Sequence, residues 1–250
     1  MTVLTYAWAS TSERLALAAA LTICFALLAR RLRGVNRSGA VAGGLACFAL
    51  FTGAGPGAFA ALAALFLMTW ISTRFGYRRK QELGVAERQE GRNACQVLAN
   101  LAGAGLSGLL FGATGNRGWL LAAVAALAEA ATDTVASEIG LSGNQHARLI
   151  TTWKRVPAGI DGGITTYGTL AGLGAGIVIS TVAAASGLLT AVEMSIPVCA
   201  GFLGMLADSL LGATIQRRGW ISNEGVNFMA TLGAAALAYT ILILKEMMRI

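Results

Sequence analysis

Charge is what this chain of 250 residues has least of: 12 % of its residues are Asp, Glu, Lys or Arg, against 56 % hydrophobic. So little polar surface does not coat a soluble globule, which excludes a water-soluble enzyme or adaptor and points to a polytopic membrane protein. Histidine occurs once, as His146 in a polar stretch with no nucleophile beside it, so a triad for acyl transfer has no base. The four cysteines, Cys24, Cys47, Cys95 and Cys199, each stand alone in apolar sequence, and neither a zinc site nor a disulfide framework is expected. There are three prolines but 32 glycines. In lipid, small residues let helices approach closely, and Gly168, Gly172 and Gly176 form one such seam, Ala104, Gly108 and Gly112 another.

What is present is apolar sequence in rhythm. Eight stretches, 15–29, 39–52, 58–75, 93–113, 119–140, 164–185, 191–215 and 226–244, predict an all-α polytopic transmembrane helix bundle of about eight spans. No linker, soluble segment or low-complexity tail interrupts them, so residues 1–250 read as a single polytopic membrane domain. No basic stretch precedes the first apolar run and no cleavage site follows it, so that span is expected to be retained.

Orientation follows from the basic residues. With the N-terminus outside, the cytoplasmic side receives Arg30, Arg31, Arg33 and Arg37, then Arg74, Arg78, Arg79, Lys80, Arg88 and Arg92, then Arg148, Lys154 and Arg155, then Arg217 and Arg218. Only Arg14, Arg117, Lys245 and Arg249 remain outside. The net charge of +7 thus reflects orientation against anionic membrane lipids, and nucleic acid is not expected as a partner. The expected location is the plasma membrane of a bacterium.

Carboxylates at membrane depth cost several kcal/mol unless paired, hydrated or bound to a cation. Asp133 and Glu138 end the fifth stretch and Asp208 lies in the seventh, with no cation beside them on those spans. Asn93, Gln96 and Asn100 share a face at i, i+3, i+7; Asn223 and Asn227 share another. Lys154, Arg155 and the turn through Asp161, Gly162 and Gly163 fall on the same side. Carboxylates, amides, a basic pair and a glycine turn together suit a polyphosphate with Mg²⁺: the ion takes carboxylate oxygens, while Lys, Arg and backbone N–H groups take phosphate oxygens. Gly162 and Gly163 would present N–H groups at the entrance of the sixth helix. The plainer alternatives are a turn for the glycine pair, interhelical hydrogen bonds for the amides and a positive-inside anchor for Lys154 and Arg155.

Asp133 and Glu138 stand about 140° apart on a regular helix, at about 100° per residue. Either the helix unwinds near its end, or Glu138 meets another partner. Thr132-Asp133-Thr134 also echoes Ala207-Asp208-Ser209, as a duplicated unit would.

The segments Gly91-Arg92-Asn93 to Asn100, Asp133 to Gly140, Val156 to Gly163, Asp208 to Thr214 and Asn223 to Asn227 resemble, in order, the integral membrane protein family that includes phytyl-phosphate kinase and human transmembrane protein nineteen. The resemblance implies a kinase that passes a phosphoryl group from a nucleoside triphosphate, CTP or ATP, to an isoprenoid monophosphate. An ionised phosphate acceptor needs no general base, which fits a chain with one histidine. Both lines of reasoning assign Asp133, Asp208 and Glu138 to Mg²⁺, Lys154, Arg155 and Arg92 to phosphates, and Asn93, Gln96, Asn100, Asn223 and Asn227 to orienting them. The rivals are a lipid-phosphate cytidylyltransferase and a transporter or flippase of a phosphorylated lipid. Oligomeric state is not legible.

Overall fold

The computed structural model describes residues 11–143 and 146–248. Arg249, placed on the outer side from sequence, lies outside the described residues. Among the described residues nine α-helices follow one another: α1 Thr11–Arg31, α2 Arg37–Ala54, α3 Pro56–Arg74, the short α4 Tyr77–Glu82, α5 Ala94–Thr114, α6 Arg117–Ser142, α7 Thr166–Ala185, α8 Ser195–Leu211 and α9 Asn223–Met247. A π-helical turn, Gly212–Gln216, continues α8. The protein is a polytopic helical bundle.

Among the described residues, seven helices are long and apolar enough to cross a membrane: all except α2 and α4. Of the eight stretches expected from sequence, the one at α2 falls outside this group by length and composition. That helix has 18 residues, about 27 Å at 1.5 Å per residue, and begins on Arg37 and Ser38. It still packs as a bundle member, because Gly55 at φ 81° turns the chain directly into Pro56 at the start of α3.

The axis of the bundle is α6. Every residue from Leu120 to Thr132 is buried, and 83 % of its apolar window is enclosed against 44 % or less in the other candidate spans. Apolar residues on all faces are what a helix surrounded by others requires. The glycine seams do what their spacing predicts. A Cβ at Gly172 would come 2.5 Å from Thr132 O of α6 and one at Gly176 2.6 Å from Thr132 Oγ1, so α7 lies close along α6. Gly112 likewise meets Gly53 of α2 at 2.8 Å, joining α5 to α2.

Between α6 and α7 the chain forms a small sheet that the sequence did not announce. Strands β1 Ala147–Leu149, β2 Arg155–Val156 and β3 Gly163–Ile164 lie in the order β2-β1-β3, with Ala147 opposite Val156 and Leu149 opposite Gly163. Strands this short fit an antiparallel hairpin carried outside the helices, and they hold the glycine turn over the end of the bundle. At the opposite end, Arg117 at the start of α6 pairs with Glu193 at 2.7 Å.

Candidate functional site

The last three turns of α6 separate two cavities. Successive residues on a helix point about 100° apart. Accordingly Asp133 lines one cavity, of about 230 Å³, and Thr134 lines the other, of about 430 Å³.

The smaller cavity is acidic. Asp133 shares it with Ser137 one turn on, with Asp208 and Ser209 of α8, with Asn223 of α9 and with Asp161 of the glycine turn. Asp133 and Asp208 are near enough for their charges to interact, and Asp161 adds its charge to that of Asp208. Glu129, one turn deeper and 1 % exposed, interacts with both aspartates and its Oε1 makes no hydrogen bond. The start of α9 supports Asp208. Ser222 caps the helix by accepting the Gly225 N–H at 3.3 Å, and Asn227, one turn after Asn223, donates its amide to Asp208 Oδ2 at 3.1 Å and to Asn223 O at 3.1 Å once its side-chain N and O are assigned to suit these acceptors. Below Asp208 the helix widens into the π-helical turn, a local irregularity that often accompanies functional sites.

The glycine turn closes over this cavity. Gly162 has φ 76°, and a Cβ there would meet Ala213 N at 2.6 Å, so only glycine lets the turn seat on the π-helical segment. Two expectations for the turn are corrected. The Gly163 N–H donates to Ile160 O at 2.9 Å, and α7 begins three residues later behind Thr165, whose Oγ1 accepts the Gly168 N–H at 3.1 Å. Gly163 is therefore a strand residue with its N–H committed, away from the helix entrance.

Glu138 is also corrected. The helix stays regular through Ser142, and Glu138 turns away from Asp133 into an ion pair with Lys80 at 2.6 Å, with Thr73 Oγ1 donating to its other oxygen at 3.0 Å. Among the described residues no three His, Cys, Asp or Glu side chains gather to hold a metal ion. Asp133 and Asp208 remain as a carboxylate pair, with amide and hydroxyl oxygens around them, no thiol or imidazole, and the Met205 thioether as the one sulfur in the lining. That donor set fits Mg²⁺ carried in with a polyphosphate, since Mg²⁺ is held by one or two carboxylates plus phosphate and water oxygens.

The amides of α5 turn out mainly structural. Asn93 Oδ1 accepts the Gln96 N–H at 3.1 Å while Gln96 Oε1 accepts the Asn93 N–H at 2.9 Å, a complete capping box. Gln96 Nε2 donates to Glu87 at 3.1 Å, and Asn100 Nδ2 donates to Gln96 O at 2.8 Å. Gln96 and Asn100 line the larger cavity, and Asn93 lines neither. Lys154 and Arg155 are exposed on the sheet and line neither cavity.

The larger cavity holds Arg33, Arg74 and Arg88, which the sequence assigned only to orientation, beside Arg92, which it assigned to phosphates. Arg33, Arg74, Arg88 and Arg92 line its mouth, and Arg92 reaches α6 by donating to Thr134 Oγ1 at 3.4 Å. Arg33 ends α1 in a Schellman turn, with its N–H on Arg30 O and the Gly34 N–H on Ala29 O. Its φ of 55° is the left-handed conformation that glycine normally supplies at this position, costing an arginine about 1–2 kcal/mol. A Schellman turn without its glycine was the available signal.

The profile of the integral membrane protein family DUF92 matches residues 20–235. The uncharacterized membrane protein MJ0933 of Methanocaldococcus jannaschii is 32 % identical over 219 residues, covering 85 % of this chain and 88 % of its own length. The uncharacterized membrane protein sll0875 of Synechocystis is 33 % identical over 183 residues, 70 % of each chain. Protein VTE6, chloroplastic, of Arabidopsis thaliana is 30 % identical over 203 residues, 78 % of this chain and 61 % of that protein. No solved structure matches. The chain belongs to the DUF92 family of integral membrane proteins.

Proposed function

We propose that this DUF92 protein is a membrane-embedded, Mg²⁺-dependent kinase that transfers the terminal phosphoryl group of a nucleoside triphosphate, CTP or ATP, to an isoprenoid monophosphate. The observation that carries the reading is the acidic cavity at the basic end of the bundle: Asp133 and Asp208 face each other's charge beneath a glycine turn, while Arg92 stands on the other side of α6. Two half-buried carboxylates gathered in one cavity, with fully buried Glu129 behind them and only the Arg92 guanidinium acting on Asp133, are stabilised by a further cation, and an Mg²⁺–nucleotide brings one.

When bound, Mg²⁺ would supply charge neutralisation to the phosphates. The chain's own residues do the positioning. Asn227 orients Asp208, Asn223 and Ser209 offer neutral polar groups to the nucleotide, and the Gly162 turn covers it. Arg92, which donates to Thr134 Oγ1 at 3.4 Å, is the cation we assign to the acceptor phosphate and the donor phosphate. In the transfer an acceptor oxygen forms the new bond to the terminal phosphorus, the bond to the bridging oxygen breaks, and the nucleoside diphosphate leaves with its electron pair. No base is needed because the acceptor is already ionised, and positioning with charge stabilisation carries the rate. The excess of basic residues at this end supports a cytoplasmic site, and our reading puts the protein in a bacterial plasma membrane.

The test is direct. Purified protein supplied with Mg²⁺, an isoprenoid monophosphate and CTP, ATP or GTP is expected to yield the lipid diphosphate, and Asp133→Asn or Asp208→Asn to lower turnover by about a hundredfold or more without unfolding the protein. Full activity in both variants overturns the assignment, and a nucleotide-linked lipid with released pyrophosphate makes the protein a cytidylyltransferase instead.

A further inference from the structure

We infer that the cavity of about 430 Å³ between α1, α2, α3 and α5 is a separate binding site for a single-chain isoprenoid monophosphate, with Arg33, Arg74 and Arg92 on its phosphate and the first part of its tail enclosed by Phe25, Phe66 and the Gly43–Gly44 face of α2. The inference deepens the kinase reading by locating the acceptor, and it rests on that reading for the reaction though not for the binding.

The cavity is graded along the bundle. From α1 the lining runs from Phe25 through Ala29 to Arg33 in the turn just past the helix, and on α3 from Leu62 through Phe66 and Trp70 to Arg74, each apolar inside and basic at the mouth. From Phe25 to Arg31, where α1 ends two residues before Arg33, is about 9 Å of helix. A phosphate with an apolar tail is graded in the same sense. At about 30 Å³ per water-sized group, 430 Å³ takes a phosphate and on the order of ten carbons, which is the first part of one isoprenoid chain.

The mouth calls for an anion. Four arginines line it against one carboxylate, Glu87, which already meets Gln96 and Arg92. Arg33 and Arg74 repel each other, and Arg74 is fixed in place by the Leu32 carbonyl and by stacking over the Trp70 ring at 4.2 Å. A phosphomonoester bridging them relieves that repulsion with charge-assisted hydrogen bonds. Arg33 holds its left-handed backbone at this mouth, the kind of strain that clusters where a side chain serves a ligand. Finally, Arg92 joins this mouth to Thr134, whose neighbour Asp133 faces the acidic cavity, so a phosphate bound here lies beside the donor site.

The experiment measures equilibrium binding of radiolabelled geranylgeranyl monophosphate to the detergent-solubilised full chain without nucleotide, alongside binding of a fluorescent Mg²⁺–nucleotide. Two variants probe the site. Arg33→Gly removes the cation at a backbone position glycine prefers, so thermal stability holds or rises. Gly43→Leu has room for its Cβ, 3.7 Å from Val97 Cγ1, and extends its side chain into the tail slot. Each is expected to weaken lipid binding tenfold or more and leave nucleotide binding unchanged, whereas Asp208→Asn does the reverse. Wild-type lipid affinity in both variants overturns the site, and equal competition by phosphatidate overturns the occupant. If the lipid binds with this dependence but no diphosphate forms, the kinase reading fails and the site stands.

Discussion

The ammonium of Lys80 meets the carboxylate of Glu138 at 2.6 Å, inside the protein, and also donates to the carbonyls of Ser72 at 2.9 Å and Thr73 at 2.8 Å. Lys80 is 1 % exposed. Its three protons thereby satisfy the last carbonyls of α3 and the end of α6 together, pinning the short helix α4 between them. Removing one partner of such a pair strands a buried charge. Glu138→Gln is expected to destabilise the solubilised protein by about 3 kcal/mol, read as a drop in thermal midpoint, while Mg²⁺–nucleotide affinity stays at the wild-type value. A selective loss of Mg²⁺ affinity with unchanged stability would return Glu138 to the metal.

Gly162 gives a prediction of the opposite kind, local rather than global. Any Cβ there must hold φ 76° and press on Ala213. Gly162→Ala therefore lifts the turn off the acidic cavity at a cost of about 1–2 kcal/mol from the left-handed conformation alone. Since 1.36 kcal/mol is a tenfold change in rate, kcat/KM is expected to fall by about tenfold or more. The thermal midpoint of the bundle should hardly move, because the turn lies outside the helices.

Much of this architecture is legible in the sequence for physical reasons that the residues display. The Gly168, Gly172, Gly176 spacing could only serve a close helix contact, and it lies against Thr132 of α6. Asp133 and Asp208 stood out because nothing on their spans neutralises them, and they share one cavity. Glu138 was misread because its cation comes from another segment, 58 residues away in the chain. Lys80 was hidden in Arg78-Arg79-Lys80, a run whose composition signals a cytoplasmic loop whether or not one member turns inward. The division into two cavities depends on α6 being central, which follows from what surrounds it and not from its own period. The kinase chemistry itself came from resemblance, because carboxylates and arginines suit several phosphate reactions equally.

A pH response is expected at the far end of the bundle. Burial raises the Glu193 carboxyl, but hydrogen bonds from the Thr190 N–H and hydroxyl and from the Arg117 guanidinium outweigh it and hold the group below its ordinary value of 4.5. A carboxyl depressed on folding stabilises the protein above its unfolded pKa, and that contribution is lost as pH falls through the lower folded value. Wild-type stability should therefore decline as pH drops below about 4.5, and Glu193→Gln, already lacking the contribution, should show a shallower decline there. Parallel acid profiles for the two proteins would remove Glu193 from this role.

The final prediction concerns Asn227, which touches no substrate in this scheme. Its amide reaches Asp208 Oδ2 and the Asn223 carbonyl, both at 3.1 Å, from one turn inside α9. A carboxylate that must present one oxygen to a cation is oriented by a donor on the other, and loss of such a donor commonly lowers metal affinity by about 10–100-fold. Asn227→Ala should raise the Mg²⁺ concentration for half-maximal activity by about tenfold or more, with kcat largely restored at saturating Mg²⁺. Asn227→Asp should do worse at every Mg²⁺ concentration, since it sets a second carboxylate against Asp208 and offers no N–H. A residue that served packing alone would lower stability and leave the Mg²⁺ dependence in place, so the Mg²⁺ titration separates the two roles. The lipid site gives an internal control: Asn227→Ala leaves Arg33, Arg74 and Arg92 untouched, and binding of the isoprenoid monophosphate without nucleotide should match wild type.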